Sequence, residues 1–214
     1  MWPFVLESPG GFSAPPQPLD WVVYLHGFRS SSRSVKAQKT IDAFAQAGQG
    51  DRLWVPDLPA SPAQALALVE DELRVRLHNN PRLRLGFMGS SLGGFYATVL
   101  GERHLNARVA LLNPAVKPYN DLQEQIGRKA VYFSDEEIEF VPAYLDELRA
   151  METTQLTQAD RYLLVAATGD EVLSFASMVA RYPGAHQLRI QGSDHALSDY
   201  DEQLPFVRLF MGLA

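Results

Sequence analysis

A glycine-flanked serine is the feature of this sequence with the clearest chemical meaning. The pentapeptide Gly89-Ser90-Ser91-Leu92-Gly93 lies between an apolar stretch, Leu83 to Met88, and a segment typical of a helix, Leu92 to Arg103. In a G-x-S-x-G elbow, a sharp strand-to-helix turn lifts the central serine out of the sheet, and the glycines leave room for that turn. The pattern predicts that Ser91 is a nucleophile, the alternative being a glycine-rich turn without chemistry.

Two later loops contain the partners that a nucleophilic serine needs. The strings are Thr168-Gly169-Asp170-Glu171-Val172 and Gly192-Ser193-Asp194-His195-Ala196, and each follows an apolar segment. A serine hydroxyl attacks a carbonyl when an imidazole takes its proton, and the imidazolium needs an orienting carboxylate. We therefore predict catalytic roles for Ser91, Asp170 and His195. The chain order Ser, Asp, His is the one found in α/β-hydrolases.

Two alternatives concern the acid. Asp194 is a second candidate, although its position next to His195 in the chain makes a well-aligned contact with the ring harder to form. Asp170 could instead cap a helix beginning at Glu171, because aspartate is a favoured N-cap residue.

A His-Gly turn follows the first apolar segment, as His26-Gly27-Phe28-Arg29. Such a turn supplies half of an oxyanion hole, so we predict that the backbone N–H groups of Phe28 and Leu92 bind the developing oxyanion. Gly27 permits close backbone approach, as do Gly89 and Gly93 in the elbow. We expect His26 to orient the turn through hydrogen bonds rather than to transfer protons.

Composition limits the class of protein. The chain has 214 residues, 46% of them hydrophobic, which predicts a single domain over 1–214. The net charge of -6 comes from interspersed residues, so we expect no nucleic-acid partner. With no cysteine there is no disulfide and no thiolate metal site, and we predict no metal. Without a leader pattern or an apolar run of ~20 residues, we expect a cytoplasmic protein with no membrane span.

Short apolar segments alternate with helical patterns along the chain. The segments are Trp21 to Leu25, Arg52 to Val55, Leu83 to Met88, Arg108 to Asn113, Tyr162 to Ala167 and Gln187 to Gln191. This alternation predicts an α/β three-layer sandwich with a mainly parallel central sheet of about six strands. A terminal helix is expected over Asp199 to Leu213, broken or started near Pro205.

Two regions do not follow this alternation of strands and helices. Between Asn113 and Arg161 lie 47 residues, so we predict a small helical cap and crossover insertion at 114–160, with helix over Asp135 to Met151. The alternative is a decorated connection without a catalytic role. The Pro-rich extension 1–20 is expected to be a loose arm, a replacement edge element or a dimer contact.

The loop after the His-Gly turn is basic, with Arg29, Arg33, Lys36 and Lys39. These residues could attract an anionic leaving group at the mouth of the site, or they could be a solvated helix start.

Taken together, the strings His26-Gly27-Phe28, Gly89 to Ala97, Asn113-Pro114-Ala115-Val116, Thr168 to Val172 and Gly192 to His195 resemble the small bacterial YqiA-like esterases of the α/β-hydrolase fold. The resemblance covers Trp21 to the C-terminus. It implies hydrolysis of a small-molecule acyl ester or thioester through an acyl-serine intermediate, without a metal or organic cofactor, and it assigns the triad to Ser91, Asp170 and His195.

The same three residues are compatible with other functions. An acyltransferase or a carbon-carbon hydrolase uses the same triad chemistry, and a non-catalytic ligand-binding protein can retain the fold. The sequence assigns no oligomeric state.

Overall fold

The computed structural model describes residues 3–132 and 134–213, and all structural statements concern these residues. The strands are β1 (Phe4–Glu7), β2 (Trp21–Leu25), β3 (Leu53–Trp54), β4 (Leu85–Ser90), β5 (Arg108–Leu112), β6 (Gly127–Ala130), β7 (Glu137–Phe140), β8 (Tyr162–Ala167) and β9 (His186–Ile190). Within the described ranges, seven of them form one sheet in the order β1-β9-β8-β5-β4-β2-β3, and β6 pairs with β7.

The six predicted strands run parallel, as expected for a sheet connected by crossover helices. The central strands are buried on both faces, which explains why β2, β4 and β8 are apolar apart from Ser90 at the end of β4.

The seventh strand, β1, comes from the Pro-rich extension and pairs antiparallel with β9. Beyond β1, the ring of Phe12 stacks on that of Phe210 with centroids 6.0 Å apart. Of the three expectations for this extension, the structure shows the edge element. Prolines flank β1 and its side chains are largely exposed, so it carries little of the apolar pattern that identifies a strand in sequence.

The helices are α1 (Val35–Gln46), α2 (Pro62–Asn79), α3 (Leu92–Arg103), α4 (Pro118–Asp121), α5 (Pro142–Ala150), α6 (Phe175–Arg181) and α7 (Tyr200–Met211). One face of the sheet packs against α1 and α7, and the other packs against α2, α3, α5 and α6. The result is the predicted three-layer arrangement. None of the helices in the described part of the chain is both long and apolar enough to cross a bilayer.

The terminal helix differs from its prediction. It begins at Tyr200 and continues through Pro205, which neither starts nor breaks it. The proline lacks the N–H that would bond to the carbonyl of Asp201, and Asp201 is an exposed residue of the first turn.

The insertion 114–160 contains a β-hairpin as well as helices. The helix predicted over Asp135 to Met151 is present only from Pro142 to Ala150, because Glu137–Phe140 pairs with Gly127–Ala130 instead. The acidic composition suggested helix, but alternate residues of β7 face the protein, and Phe140 packs edge-on against Phe28 at 5.0 Å. Tertiary packing on the His-Gly loop therefore overrides local propensity here.

Candidate active site

Strand register brings the predicted site residues to one edge of the sheet. Neighbouring parallel strands pair up to their carboxyl ends, where the last pairs are Leu25 with Gly89, Ser90 with Leu112, Leu112 with Val165, and Ala167 with Ile190. The loops that follow these strands open at the carboxyl edge, where sites in parallel sheets are built. The His-Gly turn, the elbow and the loops of Asp170 and His195 therefore meet.

The elbow holds Ser91 in a strained conformation. Its φ of 55° and ψ of -121° are unusual for a residue with a side chain. A methyl group on Gly89 would lie 2.1 Å from the carbonyl oxygen of Gly93, and one on Gly93 would lie 1.9 Å from the carbonyl oxygen of Leu25. Both positions therefore require glycine, because strand and helix backbones nearly touch there.

Ser91, His195 and Asp170 form one hydrogen-bonded chain. The Oγ of Ser91 lies 3.0 Å from Nε2 of His195, and Nδ1 of His195 lies 2.8 Å from Oδ2 of Asp170. With the carboxylate accepting from Nδ1–H, Nε2 is left as the acceptor for the serine hydroxyl. The Asp170 side chain is fully buried, whereas 20% of the His195 side chain is exposed towards the cavity.

The second carboxylate oxygen of Asp170 organises its own loop. Oδ1 accepts hydrogen bonds from the N–H groups of Val172 and Leu173, at 2.9 and 2.7 Å. The helix expected at Glu171 begins later, at Phe175, where Ser174 is the N-cap. One oxygen therefore fixes the loop while the other contacts the imidazole.

Asp194, the second candidate acid, contacts another partner. Its carboxylate accepts from the N–H and the hydroxyl of Ser198, at 2.9 and 2.6 Å. Burial opposes ionisation of this carboxyl, but the Ser198 hydrogen bonds hold its pKa below the usual value. The imidazole of His195 is thus paired with Asp170 and not with its neighbour in sequence.

Hydrogen bonds to the carbonyl oxygen of Gly27 fix the orientation of the peptide group between Gly27 and Phe28. The Gly27 oxygen accepts from Nδ1 of His26 at 2.9 Å and from the N–H of Ser30 at 3.2 Å. In a trans peptide the N–H points opposite to the carbonyl, so these bonds set the direction of the Phe28 N–H. A methyl group on Gly27 would lie 3.2 Å from Cβ of Ser91, which shows how closely the turn approaches the serine.

The peptide between Ser91 and Leu92 is held in the same way. The Ser91 carbonyl accepts from the N–H groups of Gly94 and Ala115, both at 2.9 Å, so the Leu92 N–H points away from them. Within residues 3–132 and 134–213, neither the Phe28 N–H nor the Leu92 N–H donates to another protein group. Two backbone donors are therefore free beside the serine.

A cavity of about 510 Å³ opens onto Ser91 and His195. Its apolar walls include Leu92, Ala115, Pro118, Leu122 and Leu173. Three of these residues, Ala115, Pro118 and Leu122, belong to the insertion, as does Tyr132 from the hairpin. The insertion thus lines the cavity that contains the serine.

The basic residues of the loop after the His-Gly turn have different surroundings. Lys36 lines the cavity and donates from Nζ to the carbonyl of His195 at 3.1 Å. Burial lowers the pKa of Lys36 to about 8, against the opposing attraction of nearby carboxylates. Arg29 also lines the cavity, with its guanidinium 4.5 Å from the centre of the Tyr132 ring. Lys39 instead pairs with Asp201 at 2.7 Å.

Two contacts to His195 come from residues to which the sequence assigned no role. Glu171 accepts the His195 N–H at 3.0 Å, and Nδ2 of Asn113 donates to the His195 carbonyl at 3.3 Å. Both residues lie in the sequence strings on which the family resemblance rests. Their position in those strings was the signal in the sequence that could have identified them. Their partners lie 24 and 82 positions away, so only the fold identifies the contacts.

Solved structures with this architecture include hydrolases and esterases. A candidate hydrolase from Agrobacterium vitis S4 superposes with a TM-score of 0.63 at 19% identity, covering 96% of this chain and 91% of that one. Est1E from Butyrivibrio proteoclasticus, with ferulic acid bound, gives 0.61 at 13% identity, with coverages of 94% and 90%. The esterase domain of a Rhodothermus marinus protein gives 0.57 at 16%, with 94% and 92%.

The order of the strands, the elbow and these likenesses define a protein of the α/β-hydrolase fold. Residues 21–212 match a single family throughout. The chain belongs to UPF0227, described as an uncharacterised protein family, and this confirms the YqiA-like resemblance of its sequence.

Proposed function

We propose that this protein is a serine hydrolase that cleaves acyl esters or thioesters through an acyl-serine intermediate. The observation that carries the proposal is the chain of hydrogen bonds from Ser91 through His195 to the buried Asp170, placed on a strained elbow at the floor of a cavity. A strained serine within hydrogen-bond distance of an oriented imidazole is the arrangement that makes a hydroxyl nucleophilic.

In the first half of the reaction, Oγ of Ser91 attacks the acyl carbonyl while Nε2 of His195 takes the hydroxyl proton. The carbonyl oxygen becomes an oxyanion that accepts from the N–H groups of Phe28 and Leu92. Removing one such donor typically costs about 3 to 4 kcal/mol in the transition state. The imidazolium, balanced by Asp170, then protonates the leaving alcohol or thiol as the bond to it breaks.

In the second half, water attacks the acyl-serine and gives its proton to Nε2 of His195. The tetrahedral intermediate collapses, the acid product leaves, and the imidazolium returns the proton to Oγ of Ser91. These steps use the chain's own residues and require no group beyond water.

The acyl substrate class is supported by the cavity, and its ester members are supported by one of the similar structures. Apolar walls next to the serine suit an acyl group, and the Rhodothermus marinus domain is named an esterase domain. Transfer of the acyl group to an acceptor other than water, or cleavage of a carbon-carbon bond, would use the same residues, and product analysis separates these reactions from hydrolysis.

The test uses the purified protein with a fluorophosphonate probe and with p-nitrophenyl acetate and butyrate. The wild type should be labelled and should hydrolyse both esters, whereas Ser91→Ala should be neither labelled nor active. Ser177→Ala, an exposed serine on α6, is the matched control and should behave as wild type. A folded wild type that is not labelled would favour a ligand-binding protein, and an active Ser91→Ala variant would refute the nucleophile.

A further inference from the structure

Asn113 occupies a special position directly after β5. Its side chain is fully buried, and its backbone adopts a φ of 43°, in the left-handed region that asparagine tolerates better than most residues. A buried amide in such a conformation requires partners for its donors and its acceptor. The structure supplies both.

The side-chain amide of Asn113 connects two loops. Its Oδ1 accepts from the N–H of Ala167 at 2.9 Å, and its Nδ2 donates to the carbonyls of Asp194 and His195 at 3.0 and 3.3 Å. Rotating the amide by half a turn would place its NH₂ against an N–H and its oxygen against two carbonyls. The observed orientation is therefore the one that the partners allow.

The two loops are those of the acid and the base. Ala167 ends β8 three residues before Asp170, while Asp194 and His195 belong to the loop after β9. One amide thus ties the strand that delivers the carboxylate to the backbone that delivers the imidazole.

The His195 loop has little regular structure to hold it. Ser193 and Leu197 both have positive φ, at 59° and 49°. Besides Asn113, the backbone of His195 contacts Glu171 through its N–H and Lys36 through its carbonyl. Side chains from three other segments therefore fix the position of this residue on both sides.

We propose that Asn113 is a positioning residue that holds the imidazole of His195 in line between Ser91 and Asp170, with Lys36 and Glu171 completing the contacts to its backbone. This inference rests on the proposed hydrolase function. Asn113 does not touch the substrate in this scheme, and it acts through His195. Misplacing a reacting group by about 1 Å can cost about 10²-fold in rate.

The first variant is Asn113→Asp. It keeps the acceptor for Ala167 and the tolerance of positive φ, but it replaces the two N–H donors by a carboxylate oxygen that faces the carbonyls of Asp194 and His195. We expect kcat for p-nitrophenyl butyrate, per fluorophosphonate-labelled site, to fall by about 10- to 100-fold, with KM within about threefold of wild type. Gln187→Glu is the matched control, because Gln187 is also a buried amide donating to carbonyls, those of Val179 and Tyr182. It should leave kcat per labelled site unchanged.

A double-mutant cycle separates positioning from general stability. If Asn113 acts through the contact between His195 and Asp170, then Asn113→Asp should cost much less in an Asp170→Asn background, where that contact is already impaired. An equal loss in both backgrounds, or a wild-type kcat per labelled site in Asn113→Asp, would overturn the inference.

Lys36→Met provides a second variant should Asn113→Asp fail to fold. It removes one donor to the His195 carbonyl and also a partly buried charge, so the fold should persist, with a loss in kcat of about 3- to 10-fold at unchanged KM. An unchanged kcat would count against the inference.

Failure of the proposed function and failure of this inference give different results. If the wild type is not labelled and hydrolyses no ester, the proposed function fails and this inference falls with it. If the wild type is reactive and the variants are fully reactive as well, only this inference fails.

Discussion

The N–H of Leu58 donates to Nε2 of His26 at 2.9 Å, which leaves Nδ1 as the protonated nitrogen of a neutral ring. That nitrogen donates to the carbonyl of Gly27 and so helps to aim the Phe28 N–H at the serine. Burial lowers the pKa of His26, in keeping with a ring that stays neutral. His26 thus links the loop after β3 to the predicted oxyanion hole without approaching Ser91 as a base.

Replacing His26 by alanine should reduce kcat by about 10-fold with little change in KM. Removing an oxyanion donor outright costs about 10²- to 10³-fold, and here the Phe28 N–H is retained but loses one of the two bonds that orient its peptide. Steady-state kinetics with p-nitrophenyl butyrate tests this. Full activity in His26→Ala would mean that Ser30 alone fixes the turn.

Acidification should destabilise the protein through the same ring. The pKa of His26 lies below its ordinary value of 6.5 in the folded state, so the unfolded chain binds the proton more tightly. The stability contributed by the neutral ring is complete above pH 6.5 and is lost as the pH falls towards the lowered folded value. Denaturant unfolding at several pH values from 7.5 to 5 should show this loss, and His26→Gln should reduce the slope. An identical slope in the variant would show that other groups are responsible.

The two candidate acids should behave differently on conversion to the amide. Asp170→Asn should lower kcat by about 10⁴-fold, because the amide no longer holds the imidazole in the required tautomer or balances its charge. Asp194→Asn should change kcat by less than about 10-fold, since that carboxylate contacts Ser198 and not the ring, at a cost in stability of about 1 to 2 kcal/mol. Rates measured on both variants decide the assignment, and the opposite ranking would transfer the role to Asp194.

A single methyl group at the elbow should prevent correct folding. Gly93→Ala places a carbon 1.9 Å from the carbonyl oxygen of Leu25, an overlap that neither backbone can relieve without moving. We expect little folded protein and no activity. Gly50→Ala is the matched control, because a methyl group there comes no closer than 3.7 Å to its nearest neighbour and the φ angle is not positive. Circular dichroism and thermal melting compare the two, and a stable, active Gly93→Ala would contradict the geometry.

Much of this architecture was predictable because its signals are local. Buried parallel strands give continuous apolar segments in the sequence. Ser61 and Pro62 mark the start of α2, and the elbow requires glycines at fixed distances along the chain from its serine. The errors arose where packing overrode such signals. The strand Glu137–Phe140 was predicted as helix, yet Phe140 packs on Phe28, and β1 is too short and exposed to stand out.

The sequence by itself determined the residue types and their order: a serine between glycines, then an aspartate and a histidine after later strands. Each of these signals lies within a few neighbouring positions, so it can be recognised without knowledge of the fold. Only the tertiary structure decided which carboxylate faces the imidazole, that Asn113 bridges the two loops, and that the insertion lines the cavity. Those relationships depend on distances between segments far apart in the chain. They are set by strand register and packing, which a string of residues does not specify.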